Sequence, residues 1–283
     1  MPLTERQARF FDLFGYLSFP GLFAAEAGTI TEAFEQVWTD HGGGHNQRAH
    51  DHTQNSALLP FIDQHAFLCA LLDDERVESI GSTLLGDDFN YMSSDGNYFV
   101  GDTVWHSDGY SRAPGYCSLK LAFYLDAVGR DSGCLRVVPG SHRKGDPYAE
   151  AVHETIATSG SNLTEEHWGI PSTDVPAVAL ETQPGDLVVF NHRLKHATFG
   201  GDTRRRMFTI NLQQRFREED EELLRECIGS LAGFWSETVY APLMIETAGP
   251  ARMRHLEQRL AHQDHLPGLV AAARQNMSEP NRF

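Results

Sequence analysis

The chain has 283 residues, 41% of them hydrophobic, and 39 acidic against 23 basic side chains give a formal charge of −16. That is enough apolar material for a substantial core, and the acidic balance argues against binding to nucleic acid or to an anionic membrane, both of which draw on basic surface. Four scattered cysteines without a CxxC pair, no apolar leader in MPLTERQARFFDLFGY and no run of the ~20 apolar residues a membrane span needs lead to the expectation of a cytoplasmic protein.

In chain order, Thr4 reads as an N-cap, and the spacing predicts a helix through about Leu13 that Gly15 ends. Tyr16 to Phe19 reads as a short strand closed by Pro20-Gly21, and a second helix is expected over Ala25 to Thr39. DHGGGHNQRAHDHTQNS follows, without apolar period, and reads as a loop. Its histidines (41, 45, 50 and 52) have neither cysteines nor an HExxH pair beside them, so a polar loop at the lid of a pocket is the expectation rather than a zinc site. Helical pattern returns around Gln64 to Leu72 and Glu75 to Leu85.

From Phe89 the texture changes to short alternating runs separated by Pro139-Gly140, Pro184-Gly185 and Gly200-Gly201. Successive short strands of this kind predict an antiparallel double-sheet barrel of the jelly-roll type, a double-stranded β-helix. Between Ser141 and Ser172 a polar insertion reads as a long loop with some helix, and after Phe216 the pattern is helical and acidic. No linker separates these parts. The expectation is one domain over 1–283: helical residues 1–88, a barrel over about 89–216 and helical residues 217–283.

The stretch VWHSDGY places His106 and Asp108 two positions apart, and on a strand such residues share a face. An HxD pair alone is common by chance and reads as a local hydrogen bond. Downstream, PGDLVVFNHRLKHATFGGDTRRRMFTINLQ supplies His192 and His196, then Arg204 to Arg206 at the head of an alternating strand. A jelly roll can bring two imidazoles and one carboxylate onto one side of a metal. That facial arrangement suits ferrous iron and leaves the opposite positions open.

Taken together, FFDLFGYLSFPGLF, WHSDG, LKLAFYLDAVGRDSGCLRVVPGSH, PGDLVVFNHRLKHAT and RRRMFTINL occur in an order that resembles the phytanoyl-CoA dioxygenase family of Fe(II)- and 2-oxoglutarate-dependent oxygenases, from about Phe10 to Phe216. The resemblance implies iron ligation by His106, Asp108 and His196, with His192 structural. It implies that Arg205 pairs with the far carboxylate of 2-oxoglutarate, Arg206 being the alternative one register away, with Thr198 assisting and Lys120 on a neighbouring strand. A planar guanidinium fork suits a carboxylate better than lysine does. The family often carries a tryptophan on the strand of Lys120 and Phe123; this chain has none. Tyr98, Tyr110, Arg112 and Arg136 flank the site as candidate substrate contacts. The implied activity is hydroxylation of a small organic molecule using Fe(II), 2-oxoglutarate and O2, with succinate and CO2 formed. A catalytically silent metal- or metabolite-binding jelly roll is the competing reading. Asp108 stands where halogenating relatives carry a small residue, which argues against halogenation. The identity of the substrate and the oligomeric state are not written in these residues.

Overall fold

The computed structural model describes residues 3–109, 113, 115–156 and 169–282. Thr4 caps the helix Glu5–Phe14 through a capping box with Gln7, and Gly15 ends it in the left-handed region at φ +82°. Gly15 is constrained twice, because a Cβ there would also lie 2.5 Å from His142 Nδ1. The helix Ala27–Asp40 buries Ile30, Phe34, Val37 and Trp38, the stripe of a helix lying on a core. Glu75–Leu85 is helical as expected, with Asp74 as its N-cap. The helix expected over Gln64 to Leu72 is instead broken into 3-10 turns at Ile62–Gln64 and Ala70–Asp73 around a single α-turn, Ala66–Cys69. Leu68, Cys69, Leu71 and Leu72 are all buried, so apolar neighbours surround this segment and no single stripe holds it straight.

Ten strands follow in the order β1 (Tyr16–Phe19), β2 (Ser56–Leu58), β3 (Asn90–Phe99), β4 (Thr103–His106), β5 (Ser118–Tyr124), β6 (Leu135–Val137), β7 (Val178–Leu180), β8 (Leu187–Asn191), β9 (His196–Thr198) and β10 (Arg205–Gln213). They form a six-stranded sheet, β1-β8-β5-β10-β3-β2, and a four-stranded sheet, β4-β9-β6-β7, with antiparallel pairing throughout. These are the two facing sheets of a jelly-roll, cupin-like core.

The six-stranded sheet is covered on both faces. Leu119, Leu121, Phe123, Phe208, Ile210 and Leu212 pack into one apolar cluster with Ile30, Phe34 and Trp38 of the N-terminal helices and with Leu224, Ile228 and Leu256 of the C-terminal ones. On the opposite face Ala122, Tyr124, Val188, Phe190 and Met207 meet Leu135, Val137 and Leu180 of the four-stranded sheet. Gly96 belongs to the helix side: a Cβ there would sit 1.9 Å from Phe61. The C-terminal part contributes helices Glu221–Gly229, Pro242–Glu246, Pro250–Ala261 and Leu266–Asn276. No described helix is long and apolar enough to cross a membrane.

In the insertion between β6 and β7, Pro147–Thr155 is helical, with Asp146 as N-cap and proline in the first turn.

Candidate metal centre

His106 and His196 are ninety positions apart in sequence, yet they are direct partners in the antiparallel pairing of β4 with β9. Their ring centroids lie 4.2 Å apart. β4 ends at His106, so strand alternation does not place Asp108; instead the backbone N–H groups of Asp108 and Gly109 both donate to the His192 carbonyl, at 2.9 and 3.1 Å. Asp108 Oδ1 thereby comes to 3.6 Å from His106 Nε2 and 3.9 Å from His196 Nε2. One donor atom from each of the three lies within 4.8 Å of the others, the one such group of three or more found among the described residues.

Each imidazole is fixed from behind. His106 Nδ1 is 2.8 Å from the Val104 carbonyl and His196 Nδ1 is 2.8 Å from the Leu194 carbonyl. A carbonyl has no proton to give, so each Nδ1 carries the hydrogen and each Nε2 presents a lone pair to the shared space. Burial, reinforced by His106 alongside, pushes His196 down to about 3, which keeps it neutral. Burial alone would raise the Asp108 carboxyl, but the Lys120 ammonium beside it outweighs this and holds the group well below the usual range. Lys120 Nζ is 2.8 Å from Asp108 Oδ2. Two imidazole nitrogens and one carboxylate are a donor set that fits a hard-to-borderline divalent ion such as Fe(II).

A cavity of about 220 Å3 runs between the sheets from this cluster to Arg205. The Arg205 guanidinium is 3% exposed, Nη2 donates to Thr198 Oγ1 at 3.1 Å, and Nε and Nη1 have no hydrogen-bond partner. It forms no ion pair among the described residues, and burial pushes its pKa down. Phe99, Tyr124, Leu135 and Phe190 supply apolar wall, and Lys120 lies near the metal cluster. A buried guanidinium without an anion is costly to maintain.

The register question at the triple arginine is resolved by the two-sided burial of the sheet. Arg205, Met207 and Thr209 line the cavity, whereas Phe208 and Ile210 face the helices. Arg206 points to the helix side as well, with Nη1 2.9 Å from Glu35 and Nε donating to Asp126 at 2.9 Å. Arg204 binds Glu35 at 2.7 Å and lies over the Tyr98 ring. Arg206 is therefore removed as a candidate for the cavity, and two further candidates fall with it. Tyr98 stacks on Trp38 at 4.6 Å and donates to Glu35, on the face of β3 away from the cavity. Arg136 donates to the Thr173 and Arg130 carbonyls, because Leu135 and Val137 on either side of it take the inward positions of β6. Tyr110 and Arg112 lie outside the described residues.

The histidine loop is not a lid. His45 ring nitrogens meet the Ala57 and Pro280 carbonyls, and His50 meets Ser56 Oγ and the Thr203 carbonyl, so these side chains pin the loop to its neighbours. Sequence reasoning missed a buried polar network. His192 Nε2 donates to Asn211 Oδ1 at 3.1 Å, and Asn211 Nδ2 donates to Asp95 at 3.0 Å. Its signal was present in the alternating polar positions Thr209, Asn211 and Gln213 of RRMFTINLQ.

Residues 11–207 match the family model for phytanoyl-CoA dioxygenase (PhyH). Ectoine dioxygenase of Sphingopyxis alaskensis is 27% identical over 224 residues, covering 71% of this chain and 72% of that one. Among solved structures, the non-heme alpha-ketoglutarate-dependent carbocyclase SnoK from nogalamycin biosynthesis is similar with a TM-score of 0.57 at 22% identity, over 79% of this chain and 90% of the other. EctD from S. alaskensis with 2-oxoglutarate and 5-hydroxyectoine has a TM-score of 0.54 at 24% identity, over 75% and 77%. At these identities the solved structures establish the shared fold.

Proposed function

Because the chain belongs to the phytanoyl-CoA dioxygenase family, a family of non-haem Fe(II)- and 2-oxoglutarate-dependent oxygenases, we propose that it hydroxylates a small organic molecule, as one oxygenase domain working in the cytoplasm. His106, Asp108 and His196 hold Fe(II) through the two free Nε2 lone pairs and Oδ1. Arg205 and Thr198 take the far carboxylate of 2-oxoglutarate. Lys120 keeps the Asp108 carboxylate charged and oriented.

When bound, iron, 2-oxoglutarate and O2 supply the oxidant that breaks a substrate C–H bond, with succinate and CO2 formed from the co-substrate. The protein's part is placement and the exclusion of water. The Val104 and Leu194 carbonyls fix the imidazole tautomers, and the His192 carbonyl fixes the turn that carries Asp108. Phe99, Tyr124, Leu135 and Phe190 make the cavity wall apolar, which strengthens charge pairing inside it.

The observation that carries this reading is a cavity with a neutral His, Asp, His cluster at one end and an anion-seeking guanidinium at the other. The test is succinate formation from 2-oxoglutarate by the full chain, with Fe(II) and air, first alone and then with candidate small molecules, ectoine included. Succinate that depends on iron and oxygen supports the reading. Its absence under all these conditions, with 2-oxoglutarate failing to bind, favours a silent jelly roll.

A further inference from the structure

On the far side of Asp108 a second cavity, of about 460 Å3, opens among the barrel mouth and the C-terminal helices. Asp108 lines both cavities, so the two share one of the proposed iron ligands. Its barrel wall includes Ser118 and Gln213, and its outer wall is the helix Glu221–Gly229, which contributes Leu223, Glu226 and Cys227. Gln213 is 4% exposed, and its Oε1 accepts no hydrogen bond. A buried carbonyl oxygen left without a donor is uncommon, and here it lines a cavity large enough for a ligand. Glu226 is exposed at the rim and forms no ion pair among the described residues. Among the described residues it is joined by no lysine or arginine: the charged ones that line this cavity are Asp108 and Glu226, and Asp108 already has Lys120. Against the described lining, a phosphate, a coenzyme A ester or a carboxylate would meet the negative charge of Glu226.

We propose that this second cavity holds the prime substrate, and that the substrate is a small molecule whose cationic nitrogen lies against Glu226 and whose hydrogen-bond donor meets Gln213 Oε1. The inference rests on the oxygenase reading of Asp108. It also assigns part of the specificity to Gln213 and Glu226, which lie beyond residue 207, where the family match ends.

Cys227 stands in the same wall and reports the field there. Two methanethiosulfonate reagents of similar size are compared, one ending in trimethylammonium and one in sulfonate. In each, the Cys227 thiolate attacks the thiosulfonate sulfur, a disulfide forms and methanesulfinate leaves. Rates are read by mass spectrometry on the metal-free full chain, divided by the rate for free cysteine, with Cys227→Ser identifying the peptide. The cationic reagent is expected to be favoured at least about fivefold, with most of that preference lost in Glu226→Gln and reversed in Glu226→Lys. The two variants separate the local charge from the overall charge of −16. An anionic preference, a preference unchanged in Glu226→Gln, or a Cys227 that reacts with neither reagent overturns the proposal. Labelling needs no turnover, so a failure of the oxygenase reading is seen separately, as missing succinate from the unmodified wild type.

Discussion

Replacing Arg205 by methionine should have opposite effects on the empty and the loaded protein. In the empty protein the guanidinium is 3% exposed and keeps one hydrogen bond, to Thr198, so it is a buried charge with no counter-ion. Methionine retains most of the stem and removes the charge, and exchanges of this kind are commonly neutral or stabilising. In the loaded protein the same change leaves the far carboxylate of 2-oxoglutarate unpaired, a loss of about 2–5 kcal/mol, or roughly thirtyfold to several thousandfold in Kd. Thermal unfolding of the Fe(II)-loaded protein without oxygen, with and without 2-oxoglutarate, reads both effects. Wild type should gain about 2.7 kcal/mol at a hundred times its Kd. Arg205→Met should unfold at the wild-type temperature or above when empty and gain almost nothing from the same 2-oxoglutarate. Arg204→Ala and Arg206→Ala should retain the gain, since those side chains are engaged with Glu35 and Asp126. A full 2-oxoglutarate gain in Arg205→Met, or its loss in Arg206→Ala alone, would refute the assignment.

His106→Ala and Asp108→Ala are each expected to lose iron on gel filtration and to make no succinate, because two remaining ligands hold ferrous ion weakly; iron content by elemental analysis checks this. Gly96→Ala places a Cβ 1.9 Å from the Phe61 ring and should destabilise by about 1–3 kcal/mol or more in denaturant titration, while Gly28→Ala, with open space around it, should not. Asp63 is buried, accepts from Tyr91 and Ala241, and burial raises it from 3.8 to about 6. The native state thus takes up a proton before the unfolded chain does, so its contribution to stability is full below about pH 4 and is lost as pH rises through 6. Asp63→Asn should remove that dependence, so the wild-type-minus-variant difference in unfolding free energy should fall by about 2–3 kcal/mol between pH 4 and 7; a pH-independent difference refutes it.

Much of the architecture was legible because its signals are local. Thr4, Gly15 and Asp74 punctuate their helices as such residues do elsewhere, and the ordered set from His106 to the triple arginine pointed to the two sheets. The inward face of β10 was harder to read. Apolar residues are expected inside, and Phe208, Ile210 and Leu212 are inside, but within the helix-covered core rather than the barrel. The barrel interior is where the polar set Arg205, Thr209, Asn211 and Gln213 lies. Tyr98 and Arg136, named only as flanking candidates, lie on the faces of β3 and β6 away from the cavity. Alternation tells which residues share a face, and a sheet buried on both faces does not say which face is the site.

That inward face of β10 orders the chemistry along one strand. Arg205 and Gln213 are eight residues apart, roughly 26 Å at a strand's rise of about 3.3 Å per residue. Between them Asn211 binds His192, whose carbonyl holds the turn of Asp108. Arg205, Asn211 and Gln213 are thus stations on one strand, and Asn211 reaches the turn of Asp108 through His192. The family match stops at 207, after the arginine and before Asn211 and Gln213. Under the proposed reading, the remainder of the strand and the helix behind it add Gln213 and Glu226 to a cavity wall that the matched part begins. Exchanging residues 208–230 between relatives should therefore move substrate preference while leaving the 2-oxoglutarate constant within a few-fold. A chimera whose substrate preference does not move would place specificity in the matched core instead.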